Sequence, residues 1–199
     1  MNEGGLLMKL LLMTQNKHKV RECAQILGSD VSLKSVSEVF DTRLSVLEDG
    51  TTFEENATKK VMAYPKLSDW IYVAEDSGLL VSALDGAPGV QSARYAGEGA
   101  SSEACCEKLL LNLEGVKDRS ASFIAVMAVR FSDTDVRYVT GHVSGEIATD
   151  FSGASGFGYD PIFIPAGFDQ SFASLGEGVK NDISHRSQAL SALMTLLSL

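Results

Sequence analysis

The chemistry open to this sequence is most visible in acidic and basic side chains set among loop-forming residues. Glu48, in Glu48-Asp49-Gly50, and Asp76, in Asp76-Ser77-Gly78, offer carboxylate oxygens. Such hard ligands suit Mg²⁺, which binds through one or two carboxylates and completes its shell with substrate phosphates. A solvated turn at Glu48 and a capped turn at Asp76 are the competing readings, since Asp, Gly and Ser are ordinary turn residues. Thr14-Gln15-Asn16-Lys17-His18-Lys19 lies between an apolar run and a helical pattern. Unpaired backbone N–H groups at such a junction attract an anion, helped by the helix dipole. Thr14 and Asn16 add side-chain donors and Lys19 a full charge; alternatively Asn16 merely caps the helix, where Asn is strongly preferred. Of Lys59 and Lys60, one reaches toward phosphate while the other faces water, unless both are simply solvated.

A second group lies toward the C-terminus. Gly156-Phe157-Gly158-Tyr159-Asp160-Pro161 places an aromatic ring between glycines. An accessible ring stacks on a base for about 1–3 kcal/mol; a core phenylalanine in a glycine hinge is the alternative. Lys180 and Ser184-His185-Arg186 put three donors near the expected start of the last helix. Ordinary capping by Ser184 with surface charges after it is one reading; cations there oppose the dipole, and a placement unfavourable for stability points to use elsewhere.

The elements that must position these groups follow from apolar periodicity. Residues 8–13 read as a strand, and Val20, Cys23, Ala24 and Leu27 as the apolar face of a helix stopped by Gly28. Thr51 and Thr52 each precede a glutamate by capping-box spacing, which starts a helix near Phe53 that ends or kinks by Pro65. Residues 70–74 form a buried strand whose end delivers Glu75 and Asp76. Residues 101–113 read as a helix, and 122–131 and 136–143 as strands around a Ser132-Asp133-Thr134-Asp135 turn, with 145–148 continuing the sheet. Gly153, Gly156 and Gly158 mark a flexible loop before a short strand at 162–164. The final helix runs from Ser184 with Leu190, Leu193, Leu196 and Leu197 on its apolar stripe.

Composition narrows the classes. With 199 residues and 45% hydrophobic content, the chain suits one α/β domain, 1–199. A net charge of -9 argues against coating a nucleic-acid polymer, which needs many cations. The apolar run at 6–13 is broken by Lys9 and preceded by Glu3, unlike a signal peptide. No stretch approaches the roughly 20 apolar residues of a membrane span, so no membrane partner is expected. Cys23, Cys105 and Cys106 suit neither a zinc set nor a disulfide framework and fit reduced thiols in the cytoplasm. The start of translation, Met1 or Met8, is open.

Taken in order, six segments resemble the inosine triphosphate pyrophosphatase family, the Ham1 or RdgB-like non-standard purine nucleotide pyrophosphatases. They are Thr14-Gln15-Asn16-Lys17-His18-Lys19, Thr52-Phe53-Glu54-Glu55-Asn56-Ala57, Asp76-Ser77-Gly78-Leu79, Gly86-Ala87-Pro88-Gly89-Val90 with Ser92-Ala93-Arg94-Tyr95, residues 156–163, and Ser184-His185-Arg186. The resemblance implies an elongated mixed central sheet flanked by helices, two lobes with a substrate cleft between them, and a homodimer. It implies hydrolysis of ITP, dITP and XTP to the monophosphate and pyrophosphate. By position, Thr14, Gln15, Asn16, Lys17, His18, Lys19 and Lys60 hold the phosphates. Glu48 and Asp76 bind Mg²⁺, and Asp76 is also the proton acceptor. Ser77 supports the substrate; Phe157, Gly158, Tyr159 and Asp160 form the base-stacking segment; Lys180, His185 and Arg186 read the base.

Three positions depart from the commonest family pattern. Gln15 replaces a glycine and is tolerated where the backbone needs no positive φ. Glu75 stands where aspartate often precedes the catalytic residue. Pro65 falls beyond Lys60 in the helix and should spare it. Because Lys180 and Arg186 only donate hydrogen bonds, they suit a 6-oxo purine and leave the 6-amino group of adenine unmatched; rejection of GTP is implied by the resemblance alone. A pyrophosphatase for a pyrimidine or modified nucleotide, and a non-catalytic nucleotide sensor, are the competing functions.

Overall fold

Capped apolar runs set the elements along this chain. The computed structural model describes residues 8–29, 31–42 and 44–198; Met1, Glu3 and the first two leucines of the apolar run at 6–13 lie outside them. Strand β1 (Met8–Leu12) leads into helix α1 (Lys17–Leu27), whose N-cap is Asn16 and which stops at Gly28 with φ 60. Glycine adopts that φ without a Cβ penalty, as expected of a helix stop. Strand β2 (Val31–Ser35) follows, then helix α2 (Phe53–Met62), capped by Thr52. Strand β3 is Ile71–Val81 and helix α3 is Ser102–Asn112. Strands β4 (Ser120–Arg130), β5 (Val136–Ile147) and β6 (Phe163–Pro165) precede helices α4 (Phe172–Ile183) and α5 (His185–Leu197).

The strands make one mixed six-stranded sheet in the order β2-β1-β3-β4-β5-β6. β1 pairs parallel with β2 and with β3, whereas β5 and β6 are antiparallel. This is the expected α/β class with a mixed sheet and flanking helices.

The chain divides into two compact units. The first is Met1–Glu75 with Val126–Val139; the second is Asp76–Ala125 with Thr140–Leu199. β3, β4 and β5 each contribute residues to both. The first unit's core gathers Leu11, Ala57, Val61, Tyr72 and Ala74, so α2 packs its Ala57/Val61 face on the sheet. The second unit's core gathers Leu79, Leu109, Phe123, Phe163 and Phe172. Fully burying a side chain of this size is worth about 1.5–3 kcal/mol, which is ample to hold short helices that would not form alone.

Three expectations change. The strand expected at 70–74 runs on to Val81, so Glu75 and Asp76 sit inside β3 rather than at its end. Apolar periodicity could not reveal this, because two buried carboxylates interrupt it. The glycine-marked loop at 153–158 is not a loose one: a Cβ on Gly153 would fall 2.3 Å from Ala173 carbonyl carbon, and one on Gly156 2.1 Å from Asp160 Oδ2. These glycines permit close backbone approach. Lys180 lies in the last turn of α4, not at the start of α5. Gly176, at φ 85 and ψ 169, interrupts α4 and hides its helical pattern. A cation in a last turn favours the dipole, so the argument from unfavourable placement survives only for His185 and Arg186.

Candidate functional site

In the first unit, the β1–α1 junction is built as a cap. Asn16 Oδ1 accepts the N–H groups of His18 at 3.0 Å and Lys19 at 3.3 Å, and Thr14 Oγ1 accepts Asn16 N–H at 3.1 Å. The capping alternative is therefore realised. It consumes two of the backbone donors that an anion would otherwise meet, leaving the Thr14 hydroxyl hydrogen and the Asn16 amide hydrogens as donors. Gln15 is not among the positive-φ residues, so the absence of glycine costs this turn nothing. Its amide donates to Leu44 carbonyl at 3.4 Å. Lys17 and His18 are exposed.

Two lysines of this unit stand against carboxylates. Lys19 Nζ is 3.1 Å from Glu75 Oε1, and Lys60 Nζ is 2.9 Å from Glu48 Oε2. Both ammonium groups are largely covered, whereas Lys59 is exposed and paired with Asp49. Lys59 is thus the one of the two that faces water, while Lys60 is covered. Glu75, considered above as a departure from the family pattern, is the partner that holds Lys19.

Alternation along β3 turns Tyr72, Ala74 and Asp76 to one face and Val73, Glu75 and Ser77 to the other. Glu75 and Asp76 are both 7% exposed. Buried charge of this kind costs several kcal/mol unless compensated. A strand interior is also a rigid mount for a reacting carboxylate. Among the described residues no group of three or more His, Cys, Asp and Glu gathers as a metal cage. An ion that takes one or two carboxylates and draws the rest of its shell from phosphate needs none. The oxygen chemistry of Glu48 and Asp76 fits such an ion and does not resemble the nitrogen and sulfur sets that zinc takes.

The second unit brings together the aromatic loop and the C-terminal cations. Asp160 Oδ2 accepts Phe157 N–H at 2.7 Å and Lys180 Nζ at 2.6 Å. Lys180 Nζ stands 4.4 Å from the Phe157 ring centroid and the Arg186 guanidinium 5.6 Å. His185 stacks on Phe123 at 4.8 Å, and Ser184 caps α5 through Ser187 N–H. Lys180, His185 and Arg186 are all buried, so these donors belong to an interior wall rather than a solvated surface. The Phe157 ring is half-buried.

Tyr159 faces inward instead, its hydroxyl donating to Ser92 carbonyl at 2.8 Å. Burial, and after it the neighbouring Cys105 and Cys106, push its phenol above the usual range. Cys106 Sγ donates to Gly158 carbonyl at 3.4 Å. Ser92 ties the segment after β3 to that strand: its hydroxyl accepts Leu79 N–H at 2.9 Å and donates to Gly89 carbonyl at 2.6 Å. Sequence reading named the loop residues but not the Asp160–Lys180 pair or the Ser92 bridge, because the partners are far apart in the chain.

The chain matches the Ham1 family over residues 10–196. A protein of Bacillus licheniformis named dITP/XTP pyrophosphatase is 44% identical over 194 residues, covering 95% of this chain and 97% of that protein. One of Bacillus subtilis with the same name is 43% identical over 197 residues, covering 96% and 98%. The solved Staphylococcus aureus Ham1 protein is similar at a TM-score of 0.84 and 40% identity, covering 96% of this chain and 98% of that one. A HAM1 protein from Coxiella burnetii gives a TM-score of 0.82 at 38% identity. Since sequence and fold agree along almost the whole length, the chain belongs to the Ham1 family.

Proposed function

We propose that this protein is a nucleoside triphosphate pyrophosphohydrolase that cleaves ITP, dITP and XTP to the monophosphate and pyrophosphate. The observation that carries this reading is the buried, donor-only pair of Lys180 and Arg186 beside the Phe157 ring. Neither side chain can accept a hydrogen bond, so the wall matches a 6-oxo purine and leaves a 6-amino group without a partner. A base stacked on Phe157 would gain about 1–3 kcal/mol whatever its edge, so discrimination must come from these donors.

Thr14, Gln15, Asn16, Lys17, His18, Lys19 and Lys60 serve the phosphates in this reading, and Ser77 supports the substrate. A close unit pair is worth roughly 4 kcal/mol near a protein surface. Lys19 and Lys60 begin in ion pairs with Glu75 and Glu48, so phosphate binding exchanges partners and nets less. Mg²⁺ is the proposed cofactor, with Glu48 and Asp76 as its protein ligands; when bound it supplies charge neutralisation on phosphate oxygens. Asp76 accepts the proton of the water whose oxygen bonds to the α-phosphorus. The bond from that phosphorus to the bridging oxygen breaks, and pyrophosphate departs against the lysines.

In this reading the chain is a single domain, 1–199, in a cytoplasmic homodimer. Among the described residues no helix is long and apolar enough to cross a membrane.

The test is pyrophosphate release from ITP, dITP, XTP, GTP and ATP, with Mg²⁺ and after chelation. Turnover of the first three, little with ATP and none without the metal is expected. Asp76→Asn should abolish turnover and keep nucleotide binding. An Asp76→Asn enzyme as active as the parent rejects the assignment.

A further inference from the structure

Residues 48–51 lie along α2 from its last turn back to its first, and each is held by a different helix side chain. Glu48 is held by Lys60 at 2.9 Å, Asp49 by Lys59, Gly50 N–H by Asn56 Oδ1 at 2.8 Å, and Thr51 N–H by Glu55 Oε2 at 2.7 Å. These four links differ in kind. Asp49–Lys59 and Thr51–Glu55 lie in solvent, where ion pairs and polar contacts contribute little. Lys60–Glu48 is the link that a bound phosphate or cation would rearrange.

Only the Gly50–Asn56 bond is buried, with Asn56 1% exposed. The fit is tight enough that a Cβ on Gly50 would lie 2.6 Å from Asn56 Oδ1 and 2.8 Å from Glu55 Cβ. A buried polar side chain on the face that also carries Phe53 and Ala57 is costly unless its hydrogen bonds are made. Unlike the ion pairs, this bond joins a neutral amide to backbone and does not depend on where the Lys60 charge goes.

We infer that Asn56 is a positioning residue that fixes the Glu48 loop on α2, so that the Glu48 carboxylate keeps its place when Lys60 changes partner. The inference rests on the reading of Glu48 as a metal ligand. In this inference Asn56 acts on Glu48 through Gly50.

The experiment compares Asn56→Ala, Gly50→Ala and the double variant with Glu48→Gln and with Val36→Ala, a core substitution in the same unit. Mn²⁺ binding to the protein alone is measured by electron paramagnetic resonance, alongside the half-saturating Mg²⁺ concentration, kcat and thermal stability. Losing a buried acceptor typically corresponds to about a tenfold effect. Asn56→Ala should weaken Mn²⁺ binding and raise the half-saturating Mg²⁺ by about that factor, with most of kcat recovered at saturating Mg²⁺. Gly50→Ala should do the same without altering Asn56, and the double variant should be no worse than either single one. Val36→Ala should lose thermal stability without moving either metal readout. Wild-type metal binding in Asn56→Ala, or an equal shift in Val36→Ala, overturns the inference while leaving the Glu48 assignment intact. Wild-type Mn²⁺ binding and turnover in Glu48→Gln would instead overturn the parent reading, and this inference with it.

Discussion

Replacing Lys180 by methionine probes the Asp160–Lys180 pair at nearly constant side-chain length. The two side chains are 4% and 2% exposed, and Nζ lies 2.6 Å from Oδ2. Asp160 Oδ2 keeps its bond from Phe157 N–H at 2.7 Å, but the variant removes the ammonium that faces its buried carboxylate. Breaking a buried pair by removing one partner costs about 3–5 kcal/mol. Loss of the ammonium from the Phe157 face, 4.4 Å from the centroid, accounts for roughly 0.5–2 kcal/mol by itself. For a protein of this length each kcal/mol lowers Tm by about 2–4 °C, so the expected fall is roughly 6–20 °C. Urea unfolding followed by circular dichroism gives the free energy directly. Adding Asp160→Asn removes the buried carboxylate charge as well, so the double variant should be more stable than Lys180→Met. A Lys180→Met protein within about 1 kcal/mol of wild type at pH 7, or a double variant less stable than the single one, would refute this reasoning.

Gly156→Ala forces a Cβ to within 2.1 Å of Asp160 Oδ2 at a backbone φ of 80. A loss of at least about 2 kcal/mol in urea unfolding and a raised KM for ITP are expected; unchanged values for both would mean that the loop does not need the close approach. Burial, and secondarily Cys105, push the Cys106 thiol up to about 12. Iodoacetamide at pH 8 should modify none of the buried Cys23, Cys105 and Cys106 in the native protein and all of them in urea. The folded state retains a proton on Cys106 that the unfolded chain releases above about pH 8.5. This contribution is complete below that pH and is lost as pH rises toward 12, at up to about 1.4 kcal/mol per unit. Tyr159, raised by burial, adds a loss of the same sign at higher pH. Urea midpoints that stay flat between pH 8 and 11 would contradict both.

Local chemistry was legible from the residues themselves. Asn16 before Lys17, Thr52 before Phe53 and Ser184 before His185 are capping signals acting within one turn, and the helices begin where they predict. The separation of Lys59 from Lys60 followed from helical spacing, and Gln15 proved compatible with its turn because φ there stays negative. Helix α4 was missed because Gly176 breaks its periodicity, and the full length of β3 because Glu75 and Asp76 interrupt an apolar run. Six short motifs in order were enough to indicate the family, since each is local and their order survives without coordinates.

Pairing is another matter. Lys19 with Glu75, Glu48 with Lys60, and Asp160 with Lys180 are contacts between elements, set by how helices pack on the sheet. The bond from Gly50 N–H to the buried Asn56 amide is likewise a contact that only the folded chain reveals. Residue type and local spacing determined which groups could bind phosphate, metal or purine, because those capacities reside in single side chains and single turns. Which charge neutralises which was decided only by the tertiary structure, because Coulomb energy and desolvation depend on distance and burial, and neither is encoded in separation along the chain.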